Sequence, residues 1–182
     1  MNVHISKAIR HLSQGHVIAY PTEGVWGLGC NPFNRHAVQR VLDIKHRPEH
    51  KGLILITSKV EYVNLWLNNL PEENRQIVLA SWPGPHTWVF PETGLLPKWI
   101  TGKHTSVAIR VSAHPLVRAL CDAWGGLLVS TSANVATRPA ATRRIQVQKA
   151  LAKQIDYILP GETSGLNKPS QIRNALTGAQ IR

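Results

Sequence analysis

The sequence predicts a single α/β domain in which helices pack on a mixed sheet. Amphipathic helical segments alternate with short apolar runs along the first part of the 182-residue chain, and the later apolar runs are typical of antiparallel strands. The chain contains no repeat, low-complexity segment or linker that would divide it. A chain of this length can bury about two-thirds of its unfolded surface in one core. We therefore predict one domain over residues 1–182.

Five segments carry apolar residues at helical spacing. These helices are expected over residues 4–14, from Asn34 to before Pro48, from Pro71 to before Pro83, around residues 116–124 and around residues 143–153. Asn34 can cap the second helix, and Pro48 prevents its continuation. Lys45 and Arg47 therefore fall at or just beyond the end of that helix. Ser58 followed by Glu61 has the spacing of a capping box, which predicts a further helix start.

Short apolar runs bounded by proline, glycine or polar residues predict the strands. They lie at residues 16–20, 53–56, a run ending at Phe90, 107–111, 127–130, 155–159 and 170–173. Residues 21–29 contain three glycines and are predicted to form a loop between the first strand and the second helix. Thr177-Gly178 can turn a hairpin near the end of the chain.

The composition favours a basic protein that attracts polyanions. A formal charge of +11 results from 21 lysines and arginines against 10 acidic residues, and it should attract nucleotides or RNA. Cys30 and Cys121 form no CxxC motif, so neither a disulfide framework nor a zinc site is indicated. The first residues lack the apolar core of a secretion signal, and no apolar run approaches the roughly 20 residues that span a bilayer. We expect a soluble, cytoplasmic protein without membrane association.

Several common motifs are absent or incomplete. No GxxxxGK[ST] phosphate loop and no GxSxG nucleophile motif occur. Gly27-Leu28-Gly29 resembles the start of a dinucleotide fingerprint, but Pro32 stands where the third glycine belongs. His46 and His50 have the spacing of a helical zinc pair, but Pro48 between them breaks the helix. No metal site in the protein is predicted.

Four polar segments adjoin predicted strands, where α/β folds usually build their sites. They are residues 21–24, 45–48, 130–134 and 167–170. Each has an ordinary structural explanation as well: a cation at a helix end is favoured there, and serine or asparagine often makes a side-chain turn. Together the segments offer cations, hydroxyls and an amide but no pair of nucleophile and base. This set suits anion binding better than hydrolysis.

Six motifs in order along the chain are similar to those of the YrdC family. They are Tyr20-Pro21-Thr22-Glu23, Lys45-x-Arg47-Pro48, Trp82-Pro83-Gly84-Pro85-x-Thr87, Val107-Ala108-Ile109-Arg110-Val111, Ser130-Thr131-Ser132-Ala133-Asn134 and Pro169-Ser170. The resemblance implies a twisted sheet of parallel and antiparallel strands with flanking helices and a basic concave face. It also implies a nucleotidyltransferase that joins L-threonine, bicarbonate (as CO2) and ATP into threonylcarbamoyl-adenylate and diphosphate, for the N6-threonylcarbamoyladenosine modification of tRNAs that read codons beginning with A.

The resemblance assigns roles to ten residues. The catalytic set matches the family's Lys-x-Arg and Ser-x-Asn signatures and comprises Lys45, Arg47, Ser132 and Asn134. The nucleotide set comprises Lys45, Ser106, Ser132 and Arg182. The threonine set comprises Thr22, Arg110, Ser130 and Ser170. ATP is then a substrate that carries Mg2+, and Arg110 can hold the threonine carboxylate as a fork. A shift of one residue at the strand end leaves open which of Ser130, Thr131 and Ser132 contacts a ligand.

The resemblance also implies further partners and leaves one alternative function open. The expected partners are other proteins of the same tRNA modification, with tRNA or double-stranded RNA as candidates for the basic concave face. The alternative is a non-catalytic protein that binds double-stranded or structured RNA in ribosome maturation. It rests on the charge, whereas an aromatic RNP signature and a GXXG clamp are both missing from the sequence.

Overall fold

The computed structural model describes residues 2–135, 138–166 and 170–182. Its strands in chain order are β1 Ile18–Pro21, β2 Trp26–Gly29, β3 Ile54–Thr57, β4 His86–Pro91, β5 Ser106–Val111, β6 Leu128–Ser132, β7 Tyr157–Ile158 and β8 Gln171–Asn174. They form one eight-stranded sheet in the order β7-β1-β2-β6-β3-β5-β4-β8. The helices are α1 Val3–Ser13, α2 Arg35–Lys45, α3 Asn64–Asn68, α4 Glu72–Ser81, α5 Lys98–Thr101, α6 Pro115–Trp124 and α7 Arg144–Leu151, with 3-10 turns at Glu49–Lys51 and Val60–Val63.

Local signals located the longer helices correctly. The backbone N–H of Ala37 donates to Asn34 Oδ1 at 3.0 Å and caps α2, as predicted. The predicted helices at 4–14, 71–82, 116–124 and 143–153 correspond to α1, α4, α6 and α7. The capping-box prediction at Ser58 was wrong. Ser58 Oγ donates to the Asp122 carboxylate at 2.7 Å instead, and a 3-10 turn without a side-chain cap follows from Val60. A distant partner therefore outcompeted the local cap.

Two predictions about strands were also wrong. Residues 21–29 are not one loop, because β2 occupies Trp26–Gly29 and pairs antiparallel with β1. Its glycines concealed the strand, since the Tyr20 ring lies where their side chains would be. The later strands were expected to pair antiparallel, but β7 is parallel to β1 and β8 is parallel to β4. Each reaches its edge of the sheet after a long crossover, which permits parallel pairing.

The two faces of the sheet are covered unequally. One face packs against α2, α3, α4, α5 and α7 in the larger core cluster, which includes Leu55, Trp88, Ile109 and Val129 from the strands. On the other face, α1 and α6 cover Ile18, Tyr20, Ile56 and Leu128 in a second cluster. The rest of this second face, over β3 to β6 and β8, has no helix on it among the described residues. We call this part of the sheet the uncovered strip, and the candidate site lies on it.

Within the described ranges, no helix has both the length and the apolar character needed to cross a membrane.

Candidate active site

A cavity of about 450 Å³ opens over the uncovered strip of the sheet. Nine of the ten residues predicted for the site line it: Thr22, Lys45, Arg47, Ser106, Arg110, Ser130, Ser132, Ser170 and Arg182. Asn134 does not line this cavity and lies behind Lys45. Residues 167–169, which include the predicted segment's Lys168 and the motif residue Pro169, lie outside the described residues.

The strand register gives the cavity floor a long axis. On β5, Ser106, Ala108 and Arg110 alternate toward the cavity, while Ile109 points into the larger core. Ala108 is paired with Ile54 on β3, which is paired in turn with Ser130 on β6. At a rise of about 3.3 Å per residue, Arg110 and Ser106 lie about 13 Å apart along β5. Arg110 therefore marks one end of the floor, and Ser106 with the end of β6 marks the other.

Lys45 ties the end of α2 to the end of β6. Its side chain is buried, and Nζ donates to the backbone oxygens of Ser132 and Asn134 at 2.6 and 2.9 Å and to Asn134 Oδ1 at 2.7 Å. Ser132 Oγ lies 3.3 Å from Nζ and donates to Asn134 Oδ1 at 2.7 Å. An ammonium has three protons, so all are engaged by these four oxygens. An anionic ligand at Lys45 must replace one of the contacts, of which the contact to Ser132 Oγ is the longest.

The protonation of Lys45 is sensitive to this environment. Burial, and then the positive charge of Arg47, lower the pKa of Lys45 to about 8. The surrounding oxygen acceptors favour the ammonium form and offset part of that effect. Lys45 therefore titrates closer to neutral pH than an exposed lysine does.

Arg47 is fixed by the turn that follows α2. His46 ends the helix in the left-handed conformation, with φ of 48°, and turns Arg47 toward the cavity. Arg47 Nε donates to the oxygen of Gly52 at 3.0 Å, and Nη2 donates to the oxygen of Lys51 at 3.1 Å. Burial lowers the pKa of Arg47, and the nearby Arg182 guanidinium lowers it further. Guanidinium groups that lie near one another can bind an anion such as a phosphate by charge-assisted hydrogen bonds.

A buried ion pair joins Glu23 to Arg110 at the other end of the floor. The side chains are 6% and 8% exposed, and Glu23 Oε2 contacts Arg110 Nη2. Glu23 Oε1 accepts hydrogen bonds from Ser112 Oγ and from the Ala113 N–H, each at 2.9 Å. Burial would raise the pKa of Glu23, but the Arg110 charge and these hydrogen bonds keep it below its usual value. Glu23 is therefore ionised at neutral pH.

This ion pair changes the expected role of Arg110 as a two-pronged fork. Nε donates to the Gly84 oxygen at 3.0 Å, and Nη2 is committed to Glu23. Within the described part of the chain, Nη1 donates no hydrogen bond, so this nitrogen is the one available to a ligand. Sequence reasoning missed Glu23 as a site residue, although it stands in the motif with Thr22.

Hydroxyl groups line the floor along its whole length, with Thr22 and Ser170 at the Arg110 end and Ser132 toward the other end. Thr22 lines the cavity, and its Oγ1 donates to the Val25 oxygen at 2.6 Å, so this hydroxyl can only accept a further hydrogen bond. Ser170 Oγ lies 2.9 Å from Thr87 Oγ1, and Thr87 is paired with Arg110 across the sheet. Ser130, Thr131 and Ser132 all line the cavity, so the backbone position alone does not select one of them. Thr87, Lys51 and His104 also line it and were not predicted as site residues.

Comparisons with known sequences identify the chain's relatives. The Sua5/YciO/YrdC family model, described as "Telomere recombination", matches residues 10–182. A threonylcarbamoyl-AMP synthase of Xanthomonas euvesicatoria pv. vesicatoria (strain 85-10) is 51% identical over 180 residues, which cover 98% of this chain and 96% of that protein. The protein of the same name in Xanthomonas campestris pv. campestris (strain B100) is 49% identical over the same shares.

Solved structures agree with the sequence relatives. P. abyssi Sua5 in complex with L-threonine superposes with a TM-score of 0.87 at 30% identity, covering 93% of this chain and 50% of that one. A variant of P. abyssi Sua5 gives a TM-score of 0.90 at 29% identity over 97% of this chain and 54% of that chain, so this chain spans about half of Sua5. E. coli YciO, at 21% identity and a TM-score of 0.82, supports the fold alone. From the family match and these relatives, we conclude that the chain belongs to the Sua5/YciO/YrdC family.

Proposed function

We propose that this chain is a threonylcarbamoyl-AMP synthase that uses L-threonine, bicarbonate and ATP. The observation that carries the proposal is one cavity with converging cations at one end and a single available arginine nitrogen, surrounded by hydroxyls, at the other. An anionic nucleotide suits the first end, and a small amino acid suits the second. The relatives named threonylcarbamoyl-AMP synthase support the same reaction.

The proposed reaction begins with threonine at Arg110. Nη1 holds the threonine carboxylate, and Thr22, Ser130 and Ser170 offer partners for its hydroxyl and amine. Bicarbonate takes up a proton and loses water to give CO2, and the free amine of threonine adds to the CO2 carbon and releases a proton to solvent, which forms a carbamate. A carbamate oxygen then attacks the α-phosphorus of ATP, so that a new P–O bond forms, the bond to the bridging oxygen breaks, and diphosphate leaves. The product is threonylcarbamoyl-adenylate.

The basic residues make this meeting of two anions possible. Lys45, Arg47 and Arg182 offset the repulsion between carbamate and triphosphate, and Ser106 and Ser132 offer hydroxyls to the nucleotide. Asn134 positions Lys45 from behind. Holding two reactants in a near-attack geometry is worth about 7–11 kcal/mol, so a site without a protein nucleophile suffices.

Mg2+ enters this scheme with the nucleotide. The part of the chain that the structure describes contains no cluster of histidine, cysteine and acidic residues suited to a metal ion. Glu23 has the one carboxylate side chain among the described cavity residues, and it is committed to Arg110. The hydroxyls at the end of β6 fit an ion that is held chiefly by phosphate oxygens and water. When bound, Mg2+ would reduce the negative charge of the triphosphate.

The setting of the reaction follows from the product. An activated adenylate must be passed to other proteins that attach the threonylcarbamoyl group to tRNA, and we place this process in the cytoplasm. The basic residues of the cavity, Lys45, Arg47 and Arg182, offer a contact for tRNA. RNA binding without catalysis is not favoured, because the relatives are named as synthases. We also propose that residues 1–182 fold as one domain, since one sheet includes strands from both ends of the chain.

Diphosphate release tests the proposed function. Purified protein with ATP, Mg2+, bicarbonate and threonine should release diphosphate, and omission of threonine should abolish the release. Lys45→Ala and Arg47→Ala should each lower turnover at least 100-fold while the thermal unfolding temperature shows that the protein folds. Threonine-independent release, together with RNA binding that weakens steeply with salt, would instead support the RNA-binding alternative.

A further inference from the structure

We propose that His114 is a positioning residue for the threonine end of the cavity, because it fixes residues 160–166 against the loop that carries Thr22 and Glu23. We call residues 160–166 the strap. Threonine as the ligand at that end comes from the proposed function, on which this inference rests. His114 does not line the cavity and belongs to none of the six motifs. Its role follows from its contacts on either side.

The strap is hydrogen-bonded to the loop between β1 and β2. That loop is a tight turn, in which Thr22 donates to the Val25 oxygen from its N–H at 3.2 Å and from Oγ1 at 2.6 Å. The Thr22 oxygen accepts from the Ser164 N–H at 3.4 Å, and the Glu23 oxygen accepts from the Leu166 N–H at 3.2 Å. The backbone of the strap therefore helps to fix the position of both loop residues.

His114 holds the strap just before these two donors. Its side chain is buried, and Nε2 lies 3.0 Å from the Glu162 oxygen. A carbonyl oxygen only accepts hydrogen bonds, so Nε2 carries the proton and donates it to this bond. Glu162 precedes Ser164 by two residues. The contact with His114 therefore limits where the donors to the loop can lie.

Close packing brings the strap within reach of His114. A side chain on Gly161 would overlap Leu116 in α6 and would begin 3.1 Å from the Pro21 ring at the end of β1. Glycine thus lets the backbone pass between α6 and β1 without a side chain in the way. The Glu162 oxygen, one residue later, then meets the His114 ring.

The stability of α6 does not explain a histidine at this position. His114 is the N-cap residue of α6, but its side chain makes no capping hydrogen bond. Serine and asparagine are preferred at an N-cap because their side-chain oxygen accepts from the first turn. His114 Nδ1 is also buried without a hydrogen-bond partner in the described part of the chain. Both features cost stability, whereas the contact with Glu162 uses a donor that serine or asparagine could not extend as far.

The backbone of His114 reaches the threonine end by a second route. Its N–H donates to Ser112 Oγ at 3.2 Å, and Ser112 Oγ donates to Glu23 Oε1 at 2.9 Å. Because this hydroxyl accepts from His114, its single proton is directed to the carboxylate that holds Arg110. A substitution of the His114 side chain leaves this backbone route in place. It therefore tests the strap, and through the strap Thr22, separately from Arg110.

Two substitutions of His114 separate positioning from stability. His114→Ser can cap α6 but lacks a donor that reaches Glu162, whereas glutamine in His114→Gln can place an amide N–H close to the position of Nε2. We expect H114S to raise the KM for threonine about tenfold and the KM for ATP by no more than about twofold, since one hydrogen bond at the threonine end is lost. H114Q should restore most of the threonine affinity. The unfolding temperature of H114S should change little, because the new cap offsets lost packing.

Leu120→Ala is the matched control for general destabilisation. Leu120 is fully buried in the same helix, and its loss creates a cavity away from the strap. L120A should lower the unfolding temperature more than H114S does, without raising the KM for threonine relative to that for ATP. A rise in this ratio in L120A as large as that in H114S would overturn the positioning role.

Hydrogen exchange measured by NMR tests the strap without any ligand. The Ser164 and Leu166 amides should exchange about tenfold faster in H114S and recover in H114Q, since the Glu162 contact restrains their opening. The Leu159 amide, which donates to the Ala19 oxygen at 2.8 Å before the strap begins, should exchange at the same rate in all three proteins. Unchanged exchange at Ser164 and Leu166 in H114S would show that His114 does not hold the strap.

The remaining outcomes distinguish this role from the proposed function. An equal rise of both KM values in H114S, or no recovery in H114Q, would overturn the positioning role while the synthase activity stands. If the unchanged protein released no diphosphate from ATP and threonine, the proposed function would fail. Calorimetry with L-threonine and the exchange rates need no turnover, so they would still judge His114. Absence of threonine binding to the unchanged protein would overturn both.

Discussion

Replacing Glu23 by glutamine should destabilise the protein by about 3 kcal/mol, because the substitution leaves the Arg110 charge buried without its partner. Breaking a buried ion pair by removing one charge costs roughly 3–5 kcal/mol. We expect the lower end of that range, since a glutamine oxygen keeps the hydrogen bonds from Ser112 and Ala113. For a protein of this size, this loss corresponds to a decrease of roughly 6–12 °C in the unfolding temperature.

Urea denaturation provides the measurement and an internal control. The midpoint should fall in E23Q while the m-value stays constant, since the same surface is exposed on unfolding. Glu72→Gln is the matched control, because it removes the same charge from an exposed pair with Arg75, where the Glu72 side chain is 63% exposed. Such surface pairs contribute about 0–1 kcal/mol. A loss in E23Q no greater than that in E72Q would refute the reasoning.

The pH dependence of stability gives a second measure of the same ion pair. The folded-state pKa of Glu23 lies below its unfolded value, so the pair's contribution is present above the unfolded pKa and is lost as pH falls through the folded pKa. In E23Q, the free energy of unfolding should therefore decrease less as pH falls through this range. Its KM for threonine should also rise more than its KM for ATP, since Arg110 loses the contact that orients it.

Two further predictions concern Lys45 and its supports. Burial and the charge of Arg47 lower the pKa of Lys45 to about 8, so ATP affinity measured by calorimetry should decrease as pH rises through that value. The Lys45→Arg variant should bind ATP with little change over the same pH range, because arginine stays protonated. An identical decrease in both proteins would assign the titration to another group. Asn134→Ala removes an acceptor from the Lys45 ammonium and should lower kcat by roughly 10–100-fold and shift the alkaline loss of ATP binding to lower pH. Asn134→Asp should shift that loss to higher pH, and equal pH profiles in N134A and N134D would argue against a role through Lys45.

The parts of the fold that were predicted correctly depend on local signals. Asn34 and Pro48 act within their own helix and its ends, so the bounds of α2 could be read from the residues nearby. The hairpin strand β2 was missed because Gly27 and Gly29 carry no apolar side chains, and the Tyr20 ring that covers them belongs to another strand. The parallel pairing of β7 with β1 and of β8 with β4 depends on where each chain segment joins the sheet. No local sequence pattern indicates that position.

The candidate site divides in the same way. Lys45 and Arg47 could be placed at a helix end from the sequence, and the order of the motifs indicated the other residues. The Glu23–Arg110 pair joins residues far apart in the chain, and only the packing of the loop after β1 against β5 brings them into contact. Lys51 and His104 fall outside the motifs, and their joint position requires the parallel register of β3 and β5. Long-range register therefore supplied what the motifs did not.

The alternation of side chains along β5 means that the substrate-facing surface and the larger core share one backbone. Ile109 is fully buried between Ala108 and Arg110, both of which face the cavity. Any change of volume beneath the strand that moves this backbone also moves the arginine above it, even when the substituted residue never touches a ligand. The position of Arg110 in the cavity therefore depends on the hydrophobic packing around Ile109 on the other side of the sheet.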